Sequence, residues 1–144
     1  MQNYLKVSID QGEDGTAGVL AEVHSGSFAG KSEAWFNLSE INKFIKQLSS
    51  FSKTLENPPH LKGGYWNEQG NLKEVLLSFR FYAFSSYRFG LEVILVEYPY
   101  SDCRKEEVSR VSVELQPESS KVVTFVEQLE KVINLQLKEA VLEC

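Results

Sequence analysis

The sequence predicts an α+β domain: a curved, mostly antiparallel sheet of about seven strands with two helices on one face of the sheet. Four segments alternate apolar and polar residues with a period of two, which is typical of half-buried strands. Two further segments repeat apolar residues at three- and four-residue steps, which is typical of amphipathic helices. Short turn-rich sequences separate the strand segments, and short connections favour antiparallel neighbours, because parallel strands need long crossovers.

The strand segments occur in both halves of the chain. The four clearest are residues 4–9, 76–84, 90–98 and 110–116. Segment 90–98 is apolar on both faces, so we expect it in the middle of the sheet. Weaker strands are predicted at 18–25 and 27–36, on either side of the turn "HSGS", at 60–66, and after Asn71. The letters "EDG" at 13–15 suit a turn between the first two strands.

The first helix has a readable start and end. Asn37 stands at the N-cap position and Glu40 follows three residues later, as in a capping box. The letters "ENPP" at 56–59 end the helix, because proline cannot continue it. The apolar stripe that we expect to be buried consists of Leu38, Ile41, Phe44, Ile45, Leu48 and Phe51.

The second helix has a readable start but no clear stop. Pro117 and Ser119 mark its beginning, and its apolar stripe runs to Ile133. No glycine or proline follows, so we expect the helix to run to about Ala140, unless the letters "LQL" at 135–137 begin a short strand instead. The stripe consists of Val122, Phe125, Val126, Leu129, Val132 and Ile133.

The two helices share a pattern that bears on the domain organisation. A chain of 144 residues that is 42% hydrophobic supports one ordinary core, so residues 1–144 are predicted to form a single domain. The letters "FIKQL" at 44–48 and "FVEQL" at 125–129 suggest a pseudo-repeat of strands plus a helix, with halves 1–57 and 58–144. Packing alone would explain the likeness equally, because Phe and Leu four residues apart are a common helix pair.

Composition narrows the functional classes. The formal net charge of −5 and the lack of a Lys/Arg stripe disfavour nucleic-acid binding. The N-terminus does not resemble a signal peptide, and no apolar run approaches the roughly 20 residues of a membrane helix. Only two cysteines occur, far apart, which favours a reducing, cytoplasmic setting. Edge strands could pair across a dimer, so the sequence leaves monomer and dimer open.

No motif for catalysis, a cofactor or a metal is readable. His24 and His60 stand without the further His, Cys or carboxylate neighbours that a metal site needs, and both are expected at the surface. Neither Cys103 nor Cys144 lies in a "CxxC", and the sequence has no "GxSxG" and no P-loop. We therefore expect a non-catalytic domain without a cofactor. An enzyme of unrecognised type stays open, because distant polar residues can converge in a fold.

The loop at 98–107, "YPYSDCRKEE", is the strongest candidate for a partner-contact site. It is long for a hairpin, and long loops often carry function. Its acidic and tyrosine side chains suit contact with a basic protein, because charge complementarity speeds encounter. The alternative is a solvated connection without a function. The candidate contact residues are Tyr98, Tyr100, Asp102, Glu106 and Glu107.

A second hypothesis is a small-ligand-binding module. Its pocket would lie between sheet and helices and be lined by Phe79, Phe81 and Trp66. Phe79 and Phe81 fall on the inner side of a strand, so core packing is the competing interpretation of both. The wider stretch 79–89 also interleaves bases with aromatics, as in some nucleotide-stacking sheets, but the net acidity disfavours that function.

The assembled pattern resembles the WapI-type immunity proteins of bacterial toxin systems and related small uncharacterised bacterial domains. The stretches that carry the resemblance are "AWFNLSEINKFIKQL" (34–48), "HLKGGYWNEQGNLKEVLLSF" (60–79), "RFGLEVILVEY" (88–98) and "VSVELQPESSKVVTFVEQLEKV" (111–132). The letters "KGGYW" (62–66) and the loop "PYSDCRKEE" (99–107) are departures from the family pattern. The resemblance implies an intracellular bacterial protein that binds and blocks a cognate toxin. It implies no catalytic residues.

Overall fold

Eight strands and two helices make up residues 3–144, the part of the chain that the structure, a computed structural model, describes. In chain order they are β1 Tyr4–Gln11, β2 Thr16–Ser25, β3 Phe28–Asn37, α1 Leu38–Thr54, β4 His60–Trp66, β5 Leu72–Ala83, β6 Phe89–Glu97, β7 Ser109–Leu115, α2 Ser119–Ile133 and β8 Glu139–Glu143. Every strand pair is antiparallel, so the predicted α+β class with antiparallel pairing is confirmed.

The strands form two four-stranded sheets rather than one curved sheet of about seven. The first sheet has the order β3-β2-β1-β8, and the second has the order β4-β5-β6-β7. β3 contacts all four strands of the second sheet without joining its ladder. The Ser32 hydroxyl donates a hydrogen bond to the carbonyl oxygen of Val96 at 2.8 Å, and a Cβ on Gly30 would lie 2.6 Å from Val111. Alternation along a strand specifies its two faces but not its neighbours, so the sequence could not separate the sheets.

Both sheets are built in the same way. Three consecutive strands lead into a helix, as β1-β2-β3-α1 and as β5-β6-β7-α2, and the strand after each helix completes the other sheet. The buried residues of the helices correspond in order: Ile41 with Val122, Phe44 with Phe125, Ile45 with Val126, Leu48 with Leu129 and Phe51 with Val132. Duplication stays a prediction. The halves 1–57 and 58–144 do not coincide with the sheets, because β8 pairs with β1.

The helix boundaries follow the predicted signals at α1 but not at the end of α2. The Asn37 backbone N–H donates to Glu40 Oε1 at 3.1 Å, which is one half of the expected capping box. α2 ends at Ile133 instead of continuing to about residue 140. Leu135 has a φ of 61°, which turns the chain out of the helix, and the backbone N–H of Val141 in β8 donates to Gln128 Oε1 at 2.7 Å.

One apolar core joins the two helices to the inner faces of both sheets. The Phe44 ring lies 6.2 Å from Phe81 and the Phe51 ring 5.2 Å from Phe89, which ties α1 to the second sheet. β6 lies between β5 and β7, as its apolar composition predicts. Neither helix within residues 3–144 is both long enough and apolar enough to cross a membrane.

Candidate functional site

An open groove at one end of the second sheet is lined by three exposed aromatic side chains, Tyr65, Trp66 and Tyr100. It has a volume of about 410 Å³. We call it the aromatic groove. Its lining residues come from β4, from β5 and from the loop after β6, namely Tyr65, Trp66, Lys73, Glu74, Tyr98, Pro99, Tyr100, Ser101 and Asp102.

Two irregularities in the β4–β5 ladder set the directions of Tyr65 and Trp66. The register shifts once between Gly63 and Gly64 and again between Tyr65 and Trp66. Bulges of this kind bend a strand and re-aim its side chains. Tyr65 and Trp66 are 51% and 53% exposed, which is high for large aromatic residues in a strand.

Tyr98 joins the two sides of the groove. It follows directly after β6, and its ring lies 6.2 Å from the Tyr65 ring on β4. Its hydroxyl lies 3.5 Å from the carbonyl oxygen of Val75 on β5. Burial, followed by the nearby Glu74 carboxylate, raises the pKa of the Tyr98 phenol. The side chain is therefore held against β4 and β5 rather than free in solution.

Hydrogen bonds within the 98–107 loop hold the loop side of the groove in place. The Tyr100 hydroxyl and the backbone N–H of Arg104 both donate to the Glu107 carboxylate, the second at 2.9 Å. The hydrogen bond from Tyr100 is the main reason why the pKa of Glu107 is lowered, and the same bond raises the pKa of Tyr100. The loop is thus tied to itself, and Tyr100 is held in place while 57% of it remains exposed.

The five predicted contact residues divide into two groups. Tyr98, Tyr100 and Asp102 line the aromatic groove. Glu106 and Glu107 lie instead in the short 3₁₀ turn Lys105–Glu107 and face Arg104, whose guanidinium nitrogens are 3.8 Å and 3.4 Å from their carboxylates. Three of the five residues therefore line the groove, and the two glutamates pair with Arg104 in the same loop. Whether they contact a partner stays a prediction.

The groove also contains residues that the sequence did not single out as contact residues. Tyr65, Lys73 and Glu74 belong to strands, and the sequence predicts Trp66 only as part of an interior pocket. The available signal was the pair Gly63-Gly64 directly before two aromatic residues, because glycines inside a strand often mark a bulge. Within residues 3–144, the charged groups of Lys73, Glu74 and Asp102 make no ion pair within 4.0 Å.

Within residues 3–144, side chains fill the space between sheet and helices where the sequence predicts a ligand pocket. Phe79 and Phe81 are 2% and 0% exposed in the core, whereas Trp66 lies at the surface in the aromatic groove. The space beside Phe79, between both helices and both sheets, is about 10 Å³, roughly the room of a single water molecule. The side chains of the two helix stripes occupy the space where the sequence predicts that pocket.

His60 and Ser78 lie within hydrogen-bond distance on the outer face of the second sheet. His60 Nε2 is 2.8 Å from Ser78 Oγ. Burial, followed by the positive charges of Lys62 and Arg80, lowers the pKa of the His60 imidazole. Ser78 is only 3% exposed and lies within a strand, and a nucleophile needs an open approach for the substrate. The pair is typical of a structural contact in which a histidine gives a buried hydroxyl its hydrogen-bond partner.

His24 contacts an aromatic ring and a carboxylate. Its ring stacks on Tyr4 at 4.7 Å, and Nε2 lies 3.5 Å from a Glu22 carboxylate oxygen. No group of three or more His, Cys, Asp or Glu side chains within residues 3–144 is arranged to hold a metal ion.

Tyr82 lies on the same outer face as His60, and its contribution to stability is expected to depend on pH. Its hydroxyl donates to Glu114, and burial followed by this carboxylate raises the pKa of Tyr82 to about 12. An unfolded tyrosine loses its proton near pH 10, whereas folded Tyr82 keeps its proton to about pH 12. The contribution of Tyr82 to stability is therefore complete below pH 10, and we expect it to be lost as the pH rises from about 10 to about 12.

The check is urea unfolding between pH 9 and 12. Tyr82→Phe should weaken the pH dependence, and Tyr87→Phe, which removes an exposed hydroxyl, should leave it unchanged. An identical pH dependence in wild type and Tyr82→Phe would contradict the assignment.

Comparison with protein-family models, with curated proteins and with solved structures finds no match to this chain. The relation to WapI-type immunity proteins therefore stays a prediction, and no family membership is assigned.

Proposed function

We propose that this chain is a non-catalytic protein-binding domain that holds its partner in the aromatic groove. One observation carries the proposal: Tyr65, Trp66 and Tyr100 are each more than half exposed, at 51%, 53% and 57%, around a single groove. Tyrosine and tryptophan are enriched among the residues that dominate binding energy at protein interfaces.

The groove is also held in shape before a partner arrives. Tyr100 is tied to Glu107, Tyr98 packs against Tyr65, and the Gly63-Gly64 bulge sets the end of β4. Rings that are already positioned lose less conformational entropy on binding than mobile side chains do.

Charge supports a basic partner. The chain carries a formal net charge of −5, and Glu74 and Asp102 in the groove make no ion pair within residues 3–144. Opposite charge on a partner would speed association and favour the correct partner. The more specific form of the proposal is toxin neutralisation of the immunity type in the bacterial cytoplasm, with a basic toxin as the partner.

The two tryptophans of the chain give a matched test. Trp66 lies in the aromatic groove and Trp35 lies on β3, and their exposures of 53% and 48% are similar. Tagged wild type, Trp66→Ala and Trp35→Ala would be expressed in the source cells, and the proteins captured at moderate salt would be quantified. We expect a protein that wild type and Trp35→Ala retain equally and that Trp66→Ala loses by about 30-fold, the size of a 2 kcal/mol hot spot.

Two outcomes would contradict the proposal. A captured protein that is lost with Trp35→Ala but kept with Trp66→Ala would place the binding surface on the first sheet. A stoichiometric partner retained equally by all three proteins would exclude the aromatic groove as its contact site. Dissociation as salt rises would separate a basic partner from one held by apolar contacts alone.

A further inference from the structure

We infer that the aromatic groove accepts an extended, proline-rich segment with a basic residue beside the prolines. This inference rests on the proposed function and names the chemistry of the partner. Polyproline II segments dock in grooves lined by aromatic side chains, because they are already extended and lose little entropy on binding. The groove has this composition: four aromatic rings and Pro99 line it.

Hydrogen-bond donors in the groove support a segment with free carbonyl groups. The hydroxyls of Tyr98 and Tyr100 are directed to Val75 and Glu107. Among the hydrogen bonds of residues 3–144, by contrast, none involves the Tyr65 hydroxyl or the Trp66 indole N–H. Proline lacks a backbone N–H, and a polyproline II helix has no internal hydrogen bonds, so its carbonyl oxygens are open to such donors.

The shape of the groove favours a chain over a small molecule. Pockets for small ligands bury most of the ligand surface. Here Tyr65, Trp66 and Tyr100 are each more than half exposed, so the groove is open to solvent along these rings. An extended segment can lie in an open groove and bury one side of itself against the rings.

Charge defines the flanking residue. Two carboxylates, Glu74 and Asp102, line the groove against one ammonium group, that of Lys73, and none of the three makes an ion pair within 4.0 Å among the described residues. An arginine beside the prolines could pair with Asp102 at the loop wall, and a glutamate there would be repelled.

The test is an NMR titration of the full chain that follows the two tryptophan indole N–H signals, which the variants Trp66→Ala and Trp35→Ala assign. The probe is an eight-residue peptide with one arginine followed by prolines and leucines. One control peptide replaces every proline with alanine, and another replaces the arginine with glutamate. We expect the proline peptide to shift the Trp66 signal and not the Trp35 signal. The alanine peptide should bind at least about tenfold more weakly.

Asp102→Asn tests the charge without straining the backbone, because asparagine tolerates the φ of 58° at this position. The substitution should weaken the binding of the arginine peptide several-fold and reduce the preference of the protein for the arginine peptide over the glutamate peptide. No shift of Trp66 at millimolar proline peptide, or equal binding of the alanine peptide, would overturn the inference. If partner capture still depends on Trp66 in that case, the inference of a proline-rich, basic segment fails while the proposed function stands. If capture is independent of Trp66 as well, both fail.

Discussion

Phe51→Ala is expected to lower the free energy of unfolding by about 3–5 kcal/mol, the range for removing a large buried side chain. Phe51 is 1% exposed on α1, and its ring lies 5.2 Å from Phe89, which is 0% exposed at the start of β6. The substitution removes the apolar contact between helix and sheet and leaves a cavity that the packed surroundings fill only in part. For a domain with 5–15 kcal/mol of total stability this is a large fraction.

Urea unfolding at neutral pH measures the effect. Phe28→Ala is the matched control, because Phe28 lies at the tip of the β2–β3 hairpin and is 69% exposed. The control should change the free energy of unfolding by no more than about 0.5 kcal/mol. Val132→Ala, at the corresponding position of α2, should cost less than Phe51→Ala, because fewer buried atoms are removed. A Phe51→Ala loss as small as that of the control would show that α1 does not depend on the second sheet for its stability.

The sequence predicted most elements because each one has a local physical signal. The apolar stripe of α1 predicts its buried face, and Asn37 with Glu40 predicts its start. The apolar residues on both faces of segment 90–98 predict the interior strand β6. The division into two sheets has no such signal, because it depends on how β3 lies across distant strands, as in the contact of Ser32 with Val96. The predicted end of α2 near Ala140 is wrong for a related reason: the chain leaves the helix at Leu135, with a φ of 61°, and leucine is not a residue type that marks a helix end.

The sequence predicted the loop side of the aromatic groove but not the side formed by β4 and β5. The length of the 98–107 loop and its tyrosines drew attention to Tyr98 and Tyr100, and both line the groove. Arg104 stands three residues before Glu107, which is a spacing that could have warned that this carboxylate is engaged inside the loop. The pair Gly63-Gly64 indicates a bulge in β4, but the directions of Tyr65 and Trp66 depend on register shifts that only the pairing with β5 defines.

Gly64→Ala is expected to destabilise the protein by about 3 kcal/mol, at the upper end of the usual range for overpacking. A Cβ on Gly64 would lie 1.9 Å from the carbonyl oxygen of Glu74 and 2.8 Å from the backbone nitrogen of Leu76. These are backbone atoms of β5, so no side-chain rotation can relieve the clash. Gly70→Ala is the control, because Gly70 has a φ of 80° and nothing within 4 Å of its added Cβ. It should cost about 1–2 kcal/mol from backbone strain alone.

The same substitution should also disable the aromatic groove. The clash can be relieved only by moving β4 away from β5 or by changing the register at the bulge, and a shift of one residue turns every following side chain to the opposite face. Tyr65 and Trp66 directly follow Gly64, so Gly64→Ala should lose the Trp66-dependent partner although Trp66 is still present. Gly70→Ala should keep that partner. A folded Gly64→Ala protein of wild-type stability and full binding would show that the bulge does not direct these rings, and the groove would then have to be held by the 98–107 loop alone.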